Sequence, residues 1–309
     1  MILSGICDNI IIIYFFGKGK KNMQINDNGK GGFYVYAPDY DIERTFTCGQ
    51  CFRFSKAADT EYKCEYRGVA HGRYMRFASD AEGNVHIIGA PLCEVESVWL
   101  HYLSLDRNYD AIKGQVLNDF GGHPFMKAAI AQTGGLRILA QERFETLCSF
   151  IISQNNNIPR ISKLIETLSE KYGEPIETPY GVKYAFPTAV VLSKVSEEEL
   201  AALKLGYRAK YIADAAKRVN DGVLDLASLD ASNAREELLK VLGVGEKVAC
   251  CIRLFAIEDL SSFPVDVWVK RIVANRFDGK LDTAKTGIYG GVAQQYLFCY
   301  ERELAESDT

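Results

Sequence analysis

What would carry this chain across a bilayer is missing: the dense apolar run from Ile10 to Phe16 covers seven residues, whereas a spanning helix needs about 20. A secretory leader is missing too, because Asp8 precedes that run and the lysines of Gly17-Lys-Gly-Lys-Lys21 follow it, the reverse of a leader's charge order. Residues 1 to 22 are therefore expected to be an extension ahead of an initiating Met23, outside the core. Charge of one sign is scarce as well. With 36 Lys and Arg against 40 Asp and Glu, the net charge is -4, so any nucleic-acid contact must come from a local patch or from backbone groups. The nine cysteines are an odd number in a chain without a secretory pattern, which suits free thiols in a reducing compartment. The expected location is intracellular, in cytoplasm or nucleoid, with no membrane contact. Cys48 and Cys51 form half of a metal motif, but no second pair follows at zinc spacing. The histidines at 71, 86, 101 and 123 are scattered without ligand spacing, and neither a metal nor a cofactor is expected.

What is present is an ordinary globular composition, 48% hydrophobic and 25% charged over 309 residues, enough for two or three packed units. From Gly32 to Gly89, aromatic and β-branched runs such as Tyr62 to Tyr66, Arg73 to Phe77 and Val85 to Ile88 alternate with turn signals, and Asp80 to Asn84 reads as a hairpin turn. From about Cys93 the period becomes helical. Phe144, Leu147, Cys148 and Ile151 share one helical face, and Ile161, Leu164, Ile165 and Leu168 another behind Pro159. Three more faces follow: Val248, Cys251, Ile252 and Phe255; Val265, Trp268, Val269 and Ile272; and Ala293, Tyr296, Leu297 and Tyr300. The expected fold class is α+β, an antiparallel β-sheet domain over residues 23 to 118 followed by a mainly α-helical domain over 119 to 309.

The segment Leu239 to Ala249 carries the most chemistry. A helix opened by Asn233, with Glu236 three residues on as a capping box, runs into Gly243-Val244-Gly245 and restarts. The two glycines permit positive φ and close backbone approach. Free N–H groups at the start of the second helix then face outward, a site for a phosphate oxygen that carries no sequence information.

Lys247 stands at the mouth of this hairpin, and Asp266 follows nineteen residues later behind Phe263-Pro-Val. This combination resembles the helix-hairpin-helix DNA glycosylase superfamily, in which such a lysine and aspartate make up the active site. The residue types suit the chemistry. A lysine amine attacks a sugar C1′ only when unprotonated, which burial or nearby positive potential favours. Asp266 is cast as the group that stabilises positive charge developing on the sugar and manages protons.

Further segments narrow the resemblance to the 8-oxoguanine DNA glycosylases, over nearly all of Gly32 to Glu303. Ser153-Gln-Asn-Asn-Asn-Ile-Pro-Arg160 is similar to that family's Asn-triplet motif, which implies that Asn155 fills the hole left by a flipped base and Arg160 reads the estranged cytosine. Leu205-Gly-Tyr-Arg-Ala209 resembles the wedge loop, assigning Tyr207 beside the cytosine and Arg208 to hydrogen-bond it. Both roles follow from the cost of extruding a base, since a side chain must replace the lost stacking. Cys48-Gly-Gln-Cys-Phe-Arg53 and Ala293-Gln-Gln-Tyr-Leu-Phe298 resemble the base-pocket segments. The resemblance implies that the Gly49 carbonyl accepts from the N7–H found only on the oxidised base, that Gln294 bonds the Watson–Crick edge, and that Cys251 and Phe298 sandwich the ring.

Two features depart from the pattern: Trp268 stands two residues after Asp266 where eukaryotic members carry His, and the segment 275 to 291 is short, lacking most of a helix before the final one. The C-terminal region contains only Cys299 and so lacks the four-cysteine iron–sulfur loop of related enzymes. The implied activity is excision of 8-oxoguanine opposite cytosine from double-stranded DNA, with an associated lyase step, by a monomer. An alkylated-base glycosylase on the same scaffold is the alternative enzyme, which Lys247 opposes. A non-catalytic hairpin module for DNA binding is the alternative from another class, and it leaves Asp266 without a purpose.

Overall fold

The computed structural model describes residues 12–14 and 23–307. Seven strands form one antiparallel sheet: β1 (Ile12–Tyr14), β2 (Met23–Asp27), β3 (Gly32–Tyr36), β4 (Phe54–Lys56), β5 (Cys64–Ala70), β6 (Arg73–Ser79) and β7 (Asn84–Ile88), in the order β1-β2-β3-β7-β6-β5-β4. The aromatic and β-branched runs between Gly32 and Gly89 are β3 and β5 to β7, as their alternation requires. The turn between β6 and β7 is closed by Asp80, whose carboxylate accepts from Asn84 N and Asn84 Nδ2, both at 2.8 Å; Gly83 takes φ +87 there. Three strands, β1, β2 and β4, were not legible as such. β1 pairs Ile12 with Ile25 and Tyr14 with Met23, so the extension lends a three-residue edge strand to the sheet instead of lying wholly outside it. The apolar run Ile10 to Phe16 and the rest of the extension otherwise lie outside the described residues.

The sheet buries one face under a helical segment, residues 92–102. Phe77, Met75, Ile87, Trp99, Leu100 and Leu103 are fully enclosed there, and Phe77 stacks on Tyr102 with centroids 5.8 Å apart. Helix α1 (Ile42–Thr47) also packs on the sheet, burying Ile42 and Phe46 in the same core. A second core is mainly helical and is built on α2 (Tyr109–Asp119), α3 (Pro124–Thr133), α4 (Arg143–Ser153), α5 (Ile158–Tyr172), α6 (Ala209–Asn220), α7 (Ala234–Leu239), α8 (Glu246–Ala256), α9 (Val267–Arg276) and α10 (Gly290–Ser307). The faces read from the sequence point inward: Leu147, Cys148 and Ile151 on α4, Ile161, Leu164, Ile165 and Leu168 on α5, and Val248, Cys251, Ile252 and Phe255 on α8 are all buried. Helix α2 buries Tyr109, Ile112 and Val116 in this second core and not under the sheet, although it lies ahead of the division placed at 118.

Local chemistry explains several of the helix starts, though not that of α7. Asn157 caps α5 by accepting from Arg160 N at 3.0 Å, with Pro159 in the first turn. The capping box expected at Asn233 does not form. Its Oδ1 accepts from Asp230 N at 2.8 Å and its Nδ2 donates to the Ser228 carbonyl at 3.1 Å, so the side chain serves the preceding turn. Local hydrogen bonds of this kind compete with helix capping wherever a short polar side chain follows a turn. Among the described residues no helix is long and apolar enough to cross a membrane.

Candidate active site

The hairpin joins α7 to α8 through residues 240 to 245. Gly243 takes φ +81, and a side chain there would overlap the ring of Tyr211 from α6. The Leu242 N–H donates to Asp214 of the same helix at 3.0 Å, and the Val244 N–H turns back to the Val241 carbonyl at 3.0 Å. Helix α6 is thus the seat on which the hairpin is held. Gly245 caps α8 in extended conformation with no side-chain hydrogen bond, and a Cβ there would meet open space. The first N–H groups of α8 are left facing outward, where the partial positive charge of the helix start favours an anion.

Lys247 lies in the first turn of α8, with its amine 5.5 Å from the centre of the Phe150 ring. Phe150 is the hub of an aromatic group: it stacks on Phe255 at 5.4 Å and meets Phe52 edge-on at 5.7 Å. One turn along α8, Cys251 is buried beside Lys247. Burial pushes its thiol up to about 11 against the pull of the Lys247 ammonium, while the Asp266 carboxylate adds to the rise. Lys247, Cys251 and Asp266 therefore share one neighbourhood. Asp266 caps α9 by accepting from Val269 N at 2.9 Å through Oδ1, and the Lys247 amine is committed to no ion pair within 4.0 Å among the described residues. Trp268, in the first turn of α9, is half-buried and covered by the Arg271 guanidinium at 5.6 Å.

The Gly49 loop follows α1. Gly49 has φ +80, the left-handed region that L side chains avoid, and its nearest outside neighbour is Ile158 at the start of α5. Fully buried Gln50 holds the loop. Its Nε2 donates to the Thr45 carbonyl at 2.7 Å and the Arg137 carbonyl at 2.8 Å, its Oε1 accepts from Leu139 N at 2.9 Å, and its own carbonyl accepts from Gln141 Nε2 at 2.8 Å. Arg53 anchors the other side of the loop, donating to Glu166 at 2.8 Å and to the Tyr184 carbonyl at 2.6 Å.

Helix α10 supplies Gln294, buried, and Phe298, half-buried under the Arg302 guanidinium at 5.6 Å. It is tied to α1 by Arg44, which donates to Glu303 at 2.6 Å. The start of α10 is pressed against α8: a Cβ at Gly291 would overlap Leu254 and the Ser262 carbonyl. This close seating follows the stretch 277–289, which contains neither helix nor strand and matches the short segment noted in the sequence.

The wedge residues meet at one carbonyl. Asn155 has φ +53 beyond the end of α4, and Tyr207, 48% exposed, donates to the Gln154 carbonyl at 3.3 Å. Arg208 is 5% exposed and is spent on the backbone: Nε donates to Gln154 O at 2.9 Å, Nη2 to Asn155 O at 3.1 Å, and Nη1 to Leu205 O at 3.4 Å. In the free protein this guanidinium is a clamp on the Asn155 turn and presents little to solvent. Arg160, on the exposed first turn of α5, is open. Residues that sequence reasoning passed over are Phe150, Tyr211, Asp214, Gln50 and Gln295. Of these only Phe150 and Gln295 left a signal, the first three residues from Leu147 on the α4 face, the second a polar residue inside the apolar run Val292 to Phe298.

A glycine hairpin seated against a helix, with a lysine in the next helical turn and an aspartate capping the helix after, defines the helix-hairpin-helix class of base-excision DNA repair proteins. Residues 148–286 match the model of that superfamily, and residues 34–147 match the model of the 8-oxoguanine DNA glycosylase N-terminal domain. The Arabidopsis thaliana N-glycosylase/DNA lyase is 31% identical over 283 residues, covering 83% of this chain and 76% of that protein. The Saccharomyces cerevisiae N-glycosylase/DNA lyase is 44% identical over 153 residues, and the chain spans 41% of its length. A Clostridium acetobutylicum 8-oxoguanine glycosylase/lyase, solved in complex with double-stranded DNA containing cytosine opposite 8-oxoguanine, shares the fold with a TM-score of 0.82 at 34% identity, covering 93% of this chain and 99% of that one. The chain belongs to the 8-oxoguanine DNA glycosylase family.

Proposed function

We propose that the chain is a DNA N-glycosylase with associated lyase activity that flips 8-oxoguanine from duplex DNA, opposite cytosine, and excises it through Lys247. The observation that carries this reading is the placement of the Lys247 amine at the start of α8, over Phe150 and beside Cys251, the thiol on which the Asp266 carboxylate also acts. The N–H groups at the mouth of the hairpin bind a phosphate oxygen, and the stacking lost on extrusion is offset by the Asn155 and Tyr207 side chains entering the gap. The oxidised base enters between Cys251 and Phe298, with the Gly49 carbonyl on its N7–H and Gln294 on its Watson–Crick edge.

In the chemical step, Lys247 Nζ donates its lone pair to C1′ while the C1′–N9 bond breaks. The departing electron pair leaves with the base, which takes up a proton, and Asp266 stabilises the positive charge that builds on the sugar. The new amine loses a proton, and its nitrogen lone pair then forms the C=N bond as the C1′–O4′ bond breaks and O4′ takes up a proton, opening the ring to a Schiff base. Removal of a C2′ proton then expels the 3′ phosphate, and water releases the lysine. The partner is duplex DNA and the working unit is one chain. Single-turnover excision on duplexes carrying 8-oxoguanine, guanine or an alkylated purine opposite cytosine tests the reading. The first is expected to be cleaved at least a hundred-fold faster than the others, and preferred release of the alkylated purine would overturn it.

A further inference from the structure

Gln294 and Gln295 are neighbours on a stretch of α10 that is buried from Gly290 to Leu297, and both amides are enclosed, at 3% and 5% exposure. Gln295 Nε2 donates to Gln294 Oε1 at 2.7 Å. The other end of the same side chain, Gln295 Oε1, is buried with no hydrogen-bond partner among the described residues. A buried acceptor left unpaired is a net cost to the fold. The only return visible for that cost is the hydrogen bond to Gln294.

We infer that Gln295 is a positioning residue that locks the Gln294 amide in one orientation and thereby makes the pocket select a purine edge bearing an N1–H donor. This rests on the reading that Gln294 faces the extruded base. An unrestrained glutamine is ambivalent, because rotating its terminal amide by half a turn exchanges acceptor for donors. With its Oε1 held by Gln295, one lone pair of that oxygen remains to accept from N1–H and the amide nitrogen cannot take its place. An adenine-type edge, whose N1 is an acceptor, then meets an oxygen with like polarity.

The test compares single-turnover excision of 8-oxoguanine and 8-oxoadenine, each opposite cytosine, by the full chain and by Gln295→Met, Gln294→Ala and the double variant. Single-turnover rate constants do not depend on the fraction of folded enzyme, so a ratio between two substrates separates selectivity from stability. In Gln295→Met the preference for 8-oxoguanine is expected to fall at least ten-fold, mainly because 8-oxoadenine is released faster, and Gln295→Leu should repeat this should the methionine variant fold poorly. In the Gln294→Ala background, the same Gln295 change should leave the ratio within two-fold. An unaltered ratio in Gln295→Met and Gln295→Leu, beside slowed 8-oxoguanine release in Gln294→Ala, would overturn the lock alone. A drop of equal size with and without Gln294 would overturn it too, since Gln295 would then act directly. Wild-type rates in Gln294→Ala would remove Gln294 from the pocket, and the lock with it.

Discussion

The ring of Tyr211 occupies the space in which a side chain at Gly243 would begin. Gly243 also sits at φ +81, where an L-residue pays about 1–2 kcal/mol. Gly243→Ala is therefore expected to lower stability by about 2 kcal/mol or more and to displace the hairpin from α6. With the hairpin as the proposed phosphate site, affinity for damaged and undamaged duplexes should fall by a similar factor, read by fluorescence anisotropy against salt. Unchanged affinity for both duplexes would show that the hairpin does not hold DNA.

Asp266 caps α9 through Val269 N at 2.9 Å and shares with Lys247 the neighbourhood of Cys251. Asparagine caps a helix as well as aspartate, whereas alanine does not. Asp266→Asn is expected to keep the unfolding midpoint of the wild type while slowing excision at least a hundred-fold; Asp266→Ala should lose a further 1 kcal/mol or about that in stability. Normal excision by Asp266→Asn would confine the residue to capping.

Arg160 and Arg208 differ in what each has to lose. Arg160 is exposed, so Arg160→Met should leave stability intact and reduce the preference for cytosine as the opposite base by about ten-fold to a hundred-fold, the worth of leaving a buried donor unpaired. Arg208 clamps the carbonyls of Gln154 and Asn155, so Arg208→Ala should reduce the same preference and also lower the unfolding midpoint. Equal wild-type rates opposite cytosine and adenine would remove both arginines from base reading.

A pH dependence comes from the other end of α8. His101, on the sheet side, hydrogen-bonds Asp106 at 3.2 Å and Glu258 at 2.8 Å, and these two carboxylates raise its imidazole to about 9. A histidine raised in the folded state adds stability that is fully present below its ordinary value of about 6.5 and is lost as pH climbs through about 9. The ring is 44% exposed, so solvent screening holds the effect to the order of 1 kcal/mol. Denaturant unfolding of the wild type between pH 6 and 10, beside His101→Gln, should show the alkaline loss in the first and a flatter profile in the second.

Much of this was legible because it depends on local spacing. The faces of α4, α5 and α8 follow from a period of 3.6 in residues such as Leu147, Ile165 and Ile252, and the glycine pair at 243 and 245 marks a close backbone approach before any fold is known. What was not legible depends on which surfaces meet. The strand β1 exists by pairing with β2, which no local pattern encodes. Helix α2 shows an apolar face, yet whether Tyr109 and Val116 enter the sheet core or the helical one is decided by tertiary packing. Asn233 reads as a cap until Asp230 N competes for its oxygen. Arg208 reads only as a donor to an opposite base, and its grip on the Gln154 and Asn155 carbonyls depends on a turn that tertiary packing brings to it.

The central claim is that Lys247 forms a bond to the sugar of the damaged nucleotide. Borohydride reduces a Schiff base to a stable amine, so wild-type protein incubated with an 8-oxoguanine duplex and borohydride should yield a covalent protein–DNA species of reduced gel mobility. Lys247→Gln, which removes the amine while leaving the hairpin and its phosphate grip in place, is expected to bind the duplex with near-normal affinity and to yield no such species. A full-strength covalent species from Lys247→Gln would contradict the account.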